Sequence, residues 1–258
     1  MKTKEWALLT GASSGFGVDY AHILGERGVN LVLTARRVDR LEELKNEVIS
    51  KYGVEVKIIP ADLSQTEDVQ KLFNETEGQG THISYLINNA GFGVYGDFLD
   101  TDWESTQKML MVDIMALTQL TKVFGDAMKK RKSGNILLVG SIGAYQPCPT
   151  YAAYGAAKAY VMNFGEALNS ELRGSGVKVA VLNPGVTATE FLKVAGQKPT
   201  AYQRLAMMKS RPVAEVGVKA MLAGTPSIVP GFFNKIMIWS SKLLPRVVQT
   251  RVAHMLMN

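Results

Sequence analysis

The sequence predicts an α/β protein, a Rossmann-like doubly wound parallel sheet in a single domain. Three observations predict it. Short apolar runs alternate with helical patterns along the chain. The runs are rich in Val, Ile and Leu without strict alternation, as in strands buried on both faces. A glycine-rich turn, Thr10-Gly11-Ala12-Ser13-Ser14-Gly15-Phe16-Gly17, follows the first run. The chain has 258 residues, 47% of them hydrophobic, which is enough for one core. It contains no internal repeat, low-complexity tract or linker, so residues 1–258 are read as one domain.

The elements follow in order. Strands are expected at 6–10, 30–34, 54–59, 83–88, 135–139, 177–182 and 227–229. Helices are expected near 15–27, 38–51, 66–77, 103–131 and 151–173. This order implies right-handed crossovers and helices on both faces of the sheet. Two segments stand outside the alternation. Residues 188–211 hold Phe191, Leu192, Tyr202, Leu205, Met207 and Met208 and are read as a substrate lid. Residues 230–258 form an apolar, basic extension that Pro245 should split into two helical pieces.

The turn has a physical purpose. Glycines let a backbone approach a pyrophosphate, and a helix N-terminus offers unpaired N–H groups and a positive dipole end. The spacing is Gly-x-x-x-Gly-x-Gly, and no Lys-Ser or Lys-Thr follows, which excludes a nucleotide-hydrolase phosphate loop. The tip of the second strand reads Leu33-Thr34-Ala35-Arg36-Arg37. It lacks the carboxylate that holds the ribose of NAD. Arg36 and Arg37 suit a 2′-phosphate instead, so NADP(H) is expected. Asp39 falls in the helix start, where capping is its expected job.

Tyr154 and Lys158 are four residues apart and share a helix face. An ammonium near a phenol lowers its pKa from about 10 toward working pH. Of nine tyrosines only Tyr154 has lysine at that spacing. Tyr151 is read as a pocket-wall or packing residue. Ser141 lies just past the fifth strand, where ligands of open α/β sheets bind.

These residues resemble the classical short-chain dehydrogenases/reductases from about Trp6 to Ile228. The resemblance rests on Thr10-Gly11-x-x-x-Gly15-x-Gly17, Asp62-Leu63, Asn88-Asn89-Ala90-Gly91, Ser141, Tyr154-x-x-x-Lys158 and Asn183-Pro184-Gly185. It implies that Gly11, Ser13, Ser14, Gly15, Phe16 and Gly17 hold the cofactor together with Arg36 and Arg37. It places Asp62 and Leu63 at the adenine, and Asn89, Ala90 and Gly91 on the ribose side. Lys158 would hold the nicotinamide ribose and lower the pKa of Tyr154. Pro184, Gly185 and Thr187 would flank the nicotinamide. The family usually has asparagine where Met111-Val112-Asp113-Ile114 places Asp113. There the relay works chiefly through the main-chain carbonyl, so Asp113 is carried as a relay residue beside Ser141, Tyr154 and Lys158.

The bulk properties exclude other classes. Cys148 is the only cysteine, and His22, His82 and His254 lie far apart, so no disulfide framework or metal site is expected. No signal peptide or membrane span is apparent, and a soluble, cytoplasmic protein is expected. The net charge is +6, yet no Asp or Glu follows Glu215. Lys219, Lys235, Lys242, Arg246 and Arg251 carry nearly all of the excess, which argues against a nucleic-acid face. The expected function is NADP(H)-dependent reduction of a hydrophobic carbonyl compound, or oxidation of the alcohol. The family pairs through its two long helices, implying a homodimer or homotetramer. The alternatives are a catalytically silent NADP(H)-binding regulator and a peripheral membrane or partner-binding protein. For the tail, packing on the body is preferred over an interfacial helix.

Overall fold

The computed structural model describes residues 5–257. Seven strands form one parallel sheet in the order β3-β2-β1-β4-β5-β6-β7. They are β1 (Trp6–Thr10), β2 (Asn30–Thr34), β3 (Val56–Ile58), β4 (Ile83–Asn88), β5 (Gly134–Val139), β6 (Val177–Leu182) and β7 (Ser227–Ile228). The chain winds outward from β1 to β3, then returns to the other side of β1 for β4. That reversal opens a crevice at the carboxyl ends of β1 and β4.

Alternate strand residues feed opposite faces. Leu9, Leu31, Leu33, Leu137 and Leu182 pack under α1 (Phe16–Gly25), α2 (Val38–Tyr52) and, later in the chain, residues Val213, Val218 and Met221. Leu8, Val32, Leu86, Ile136 and Val181 pack under the opposite layer. That layer comprises α3 (Thr66–Glu75), the run from α4 (Trp103–Leu110) to α5 (Leu117–Arg131), and α6 (Ala152–Glu171). Both faces are therefore dry, which is why the strands read as unbroken apolar runs.

The structure changes several expected boundaries. The third strand pairs only over Val56–Ile58, although Val54 and Ile59 are buried beside it. The helix over 103–131 is continuous, but residues Met111–Ala116 widen into a π turn that carries Asp113. One long helix is missing from the sequence reading, besides two short ones within residues 188–211. Ser210–Ala223 forms a full helix covering the sheet face over β5 and β6. Its buried Val213, Ala214, Gly217, Val218 and Met221 have helical spacing, and Gly224 ends it in the left-handed region. The signal was present but obscured by the lid residues before it.

In chain order the remaining helices are α7 (Phe191–Ala195), α8 (Ala201–Ala206), α9 (Ser210–Ala223), α10 (Phe232–Ser241) and α11 (Arg246–Met257). Pro245 lies between α10 and α11. No helix of the described residues is long and apolar enough to cross a membrane.

The glycine turn depends on close backbone approach. Gly11 and Gly15 have φ of 65° and 53°, in the region that favours glycine. A Cβ on Gly17 would collide with the Gly11 carbonyl oxygen. Gly17→Ala should therefore destabilise the fold by about 1–3 kcal/mol, the usual range for overpacking. Guanidinium unfolding should show a lower midpoint at unchanged slope.

Candidate active site

A cleft of about 760 Å³ runs over the carboxyl ends of the strands. Thr10, at the end of β1, anchors its floor. The Thr10 hydroxyl donates to the Ile87 carbonyl and accepts the N–H groups of Asn89 and Ala90, each at 2.9 Å. The Asn89 side-chain amide donates in turn to the carbonyls of Thr10 and Gly11 at 2.9 and 3.3 Å. These bonds clamp the glycine turn to the loop after β4. Helix α1 follows Gly15 with no side-chain cap, so no side chain competes with an anion at its N-terminus.

Most residues singled out from the sequence line this one cleft. They include Gly11, Ser13, Ser14, Gly15, Phe16, Arg36, Arg37, Asp62, Leu63, Asn89, Ala90 and Gly91 at the turn end. Ser141, Tyr154, Lys158, Pro184, Gly185 and Thr187 line it further along. Two are not on the surface of the cleft. Gly17 supports the turn from behind, and Asp113 is fully buried behind Lys158.

Asp113 does more than the sequence suggested. Its carboxylate lies 3.0 Å from Lys158 Nζ and accepts the Phe92 N–H at 3.1 Å. Lys158 also donates to the Val139 carbonyl at 3.1 Å. Burial pushes the Asp113 carboxyl up, and the Lys158 ammonium opposes that shift. Tyr154 differs from expectation for the same reason. Its pKa is raised, first by burial and then by repulsion from Asp113, while the Ser141 hydroxyl works the other way. The ammonium expected to lower it sits 5.5 Å from the ring centre, with its charge shared by the carboxylate.

Ser141 follows β5 in extended conformation. Its N–H donates to Asn183 Oδ1 at 3.2 Å, and its hydroxyl oxygen accepts the Gly143 N–H at 3.1 Å. That leaves the hydroxyl hydrogen free to serve Tyr154 or an incoming oxygen.

The far wall draws on the expected lid, on Tyr151 and on the tail, and only the structure gives their contacts. Phe191 packs against Tyr154 with ring centres 5.1 Å apart, and Tyr151 lies 5.7 Å from the same ring. Tyr151 donates its hydroxyl hydrogen to Gln197 Oε1 at 2.9 Å, which fixes a buried link to the segment after α7. Met237, Ala253 and Leu256 reach the cleft from α10 and α11. Burial pushes the Cys148 thiol up to about 11, so it is a wall residue and not a nucleophile. At the other end Glu190 forms ion pairs with Arg37 at 2.9 Å and Arg40 at 2.7 Å. Those two guanidiniums hold its carboxyl down to about 2. Arg37 also donates twice to Ser13 Oγ. Nothing in the local sequence around Glu190 announces this contact across the cleft.

Comparison with known proteins identifies the family. The short chain dehydrogenase family model matches residues 5–200. The very-long-chain 3-oxoacyl-CoA reductase of Anas platyrhynchos is 30% identical over 250 residues, covering 93% of this chain and 76% of that protein. The 17-beta-hydroxysteroid dehydrogenase type 3 of Mus musculus is 31% identical over 252 residues, covering 96% and 82%. A solved short-chain dehydrogenase from Sphingobium yanoikuyae in complex with NADPH superposes with a TM-score of 0.82 at 29% identity, covering 88% of each chain. A 7beta-hydroxysteroid dehydrogenase structure superposes with a TM-score of 0.88 at 25% identity, covering 97% of this chain and 96% of that one.

The charge arrangement around Tyr154 can be tested without turnover. Asp113→Asn removes the repelling carboxylate and releases the Lys158 charge, so Tyr154 should ionise at lower pH than in the parent protein. Phenolate absorbance should be titrated in each background with and without Tyr154→Phe, the difference isolating this one phenol. An unchanged or raised ionisation pH would show that Asp113 carries no charge.

Proposed function

The chain belongs to the short-chain dehydrogenase family of oxidoreductases, and from that premise we propose that it is an NADP(H)-dependent reductase of hydrophobic carbonyl compounds. The observation that carries this reading is that Tyr154, Ser141 and Lys158 line the same cleft as the N-terminus of α1. A cofactor cradle and a proton donor in one cleft are what hydride transfer to a carbonyl needs.

The residues fit a nicotinamide dinucleotide. The uncapped α1 and the left-handed Gly11 and Gly15 leave the pyrophosphate a close backbone approach. Arg37, just beyond β2, with Arg36 at the cleft wall, supports a 2′-phosphate, and residues 34–37 at that strand tip include no carboxylate of their own. The NADPH complex of the Sphingobium relative agrees with this preference. When bound, NADPH supplies the hydride.

The chain supplies the rest. Ser141 offers a hydroxyl hydrogen to the substrate oxygen, and Tyr154 gives up its proton to that oxygen as the carbon is reduced. Lys158 donates to Val139 and is ion-paired with Asp113, and its ammonium has a further donor for a ribose hydroxyl. Burial keeps Tyr154 protonated above the usual range, which suits proton donation. The reverse reaction needs the phenolate and should therefore gain with rising pH.

The substrate wall supports an apolar, bulky compound. Ile142, Tyr151, Phe191, Leu192, Met237 and Leu256 surround the space beyond Tyr154. Relatives named for very-long-chain 3-oxoacyl-CoA and for 17-beta-hydroxysteroids fit a cleft of this chemistry. Two copies would pair through α4–α5 and α6, where Phe98, Leu99, Trp103 and Met115 remain exposed.

A panel of long-chain 3-oxoacyl thioesters, steroid ketones and small polar ketones, followed by NADPH absorbance, tests the reading. Bulky apolar ketones should turn over fastest, and NADPH should be preferred to NADH. Fastest turnover of the polar ketones, or equal use of both cofactors, would overturn it. Tyr154→Phe should cut turnover by about 10²–10⁴-fold or more while leaving NADPH binding nearly intact.

Glu190 occupies the guanidinium that a 2′-phosphate would need. Glu190→Gln should tighten NADPH binding by up to about fivefold, the scale of an exposed ion pair, and leave NADH binding unchanged. Equal changes for both cofactors would mean that Glu190 acts on the cleft as a whole.

A further inference from the structure

The last two helices are inside out. α10 turns Asn234, Ile238 and Ser241 inward, and α11 turns Gln249 and Ala253 inward. Phe232, Phe233, Trp239, Leu243, Val247 and Met255 are left between 63% and 84% exposed. A helix seated on a core in water shows the opposite pattern. The inward residues are well used. Asn234 donates to the Pro230 carbonyl at 2.9 Å and packs on Gly185, and Gln249 donates to the Leu244 carbonyl at 2.8 Å. The tail thus does pack on the body and walls the cleft, but its bulk apolar side chains face out.

Charge selects what covers that face. Lys235, Lys242, Arg246 and Arg251 are all exposed among these apolar residues, and no acidic residue occurs after Glu215. A second copy seated by a two-fold axis would set these cations against the same cations with no carboxylate between them. A bilayer containing anionic lipid offers both complements, an acyl boundary for the aromatic rings and phosphates for the cations. We propose that the outer face of α10 and α11 docks on an anionic lipid surface. Met237 and Leu256, on the same two helices, line the cleft, so docking would bring the cleft wall to the bilayer.

Flotation of the full chain with phosphatidylcholine vesicles, with and without phosphatidylserine, tests this directly. Phosphatidylserine should raise the bound fraction about tenfold or more, and added salt should reverse the gain. The triple variant Phe233→Ser, Trp239→Ser, Leu243→Ser should lose flotation. The variant Lys235→Gln, Arg246→Gln, Arg251→Gln should lose the dependence on phosphatidylserine. Both should keep NADPH binding and the parent melting temperature. The proposal is overturned if the parent protein stays unbound on phosphatidylserine vesicles, or if the charge variant floats as the parent does. It is equally overturned if the parent is a dimer that the serine variant splits while neither floats, since a second copy would then cover the face.

Discussion

The buried contact between Asp113 and Lys158 is the constraint on which the working end of this molecule depends. It joins the π turn to α6, while the same two side chains hold the Phe92 N–H and the Val139 carbonyl. Four segments that arrive from different parts of the sequence are thus fixed at one point. Such a pair is weak evidence for stability, because desolvating two charges offsets much of their attraction. Leaving either charge alone in that position would cost several kcal/mol, so the two side chains are bound to act together. The local widening into a π turn is what aims Asp113 inward, a use of this geometry common at functional sites.

That pair also sets the electrostatics of proton transfer. A lysine beside a phenol would ordinarily draw its pKa down. Here the lysine shares its charge with a carboxylate, and the carboxylate repels a phenolate. The result is a tyrosine whose pKa is raised at the wall of the cleft. On the proposed reading, this favours giving a proton over taking one.

The two ends of the cleft are governed by different forces. At the glycine turn, backbone hydrogen bonds from Thr10 and Asn89 leave little freedom, and the fit to a pyrophosphate follows from the main chain. At the far end, aromatic rings and two amphipathic helices form a wall from elements that have few contacts with the core. Glu190 links the ends by crossing from the start of α7 to Arg37 and Arg40. A rigid end and a compliant end on one scaffold let the wall vary without disturbing the turn.

The sequence alone determined the sheet, its parallel sense, the glycine turn and the family. It could do so because these depend on local periodicity, and on short motifs whose residues are neighbours in the chain. It also located Ser141, Tyr154 and Lys158, which follow predictable strand and helix ends. Helix α9 was legible in the spacing of Val213, Ala214, Gly217, Val218 and Met221, and was passed over because the lid residues before it broke the pattern. Other features were settled only by tertiary structure. Asp113 meets Lys158 across 45 positions, and Glu190 meets Arg37 across 153. The outward direction of Phe233 and Trp239 is also beyond pattern reading, since an apolar stripe names a face without saying whether the body lies behind it. Those outcomes depend on which surfaces the folded sheet brings together, and pairing at a distance has no signature in local spacing.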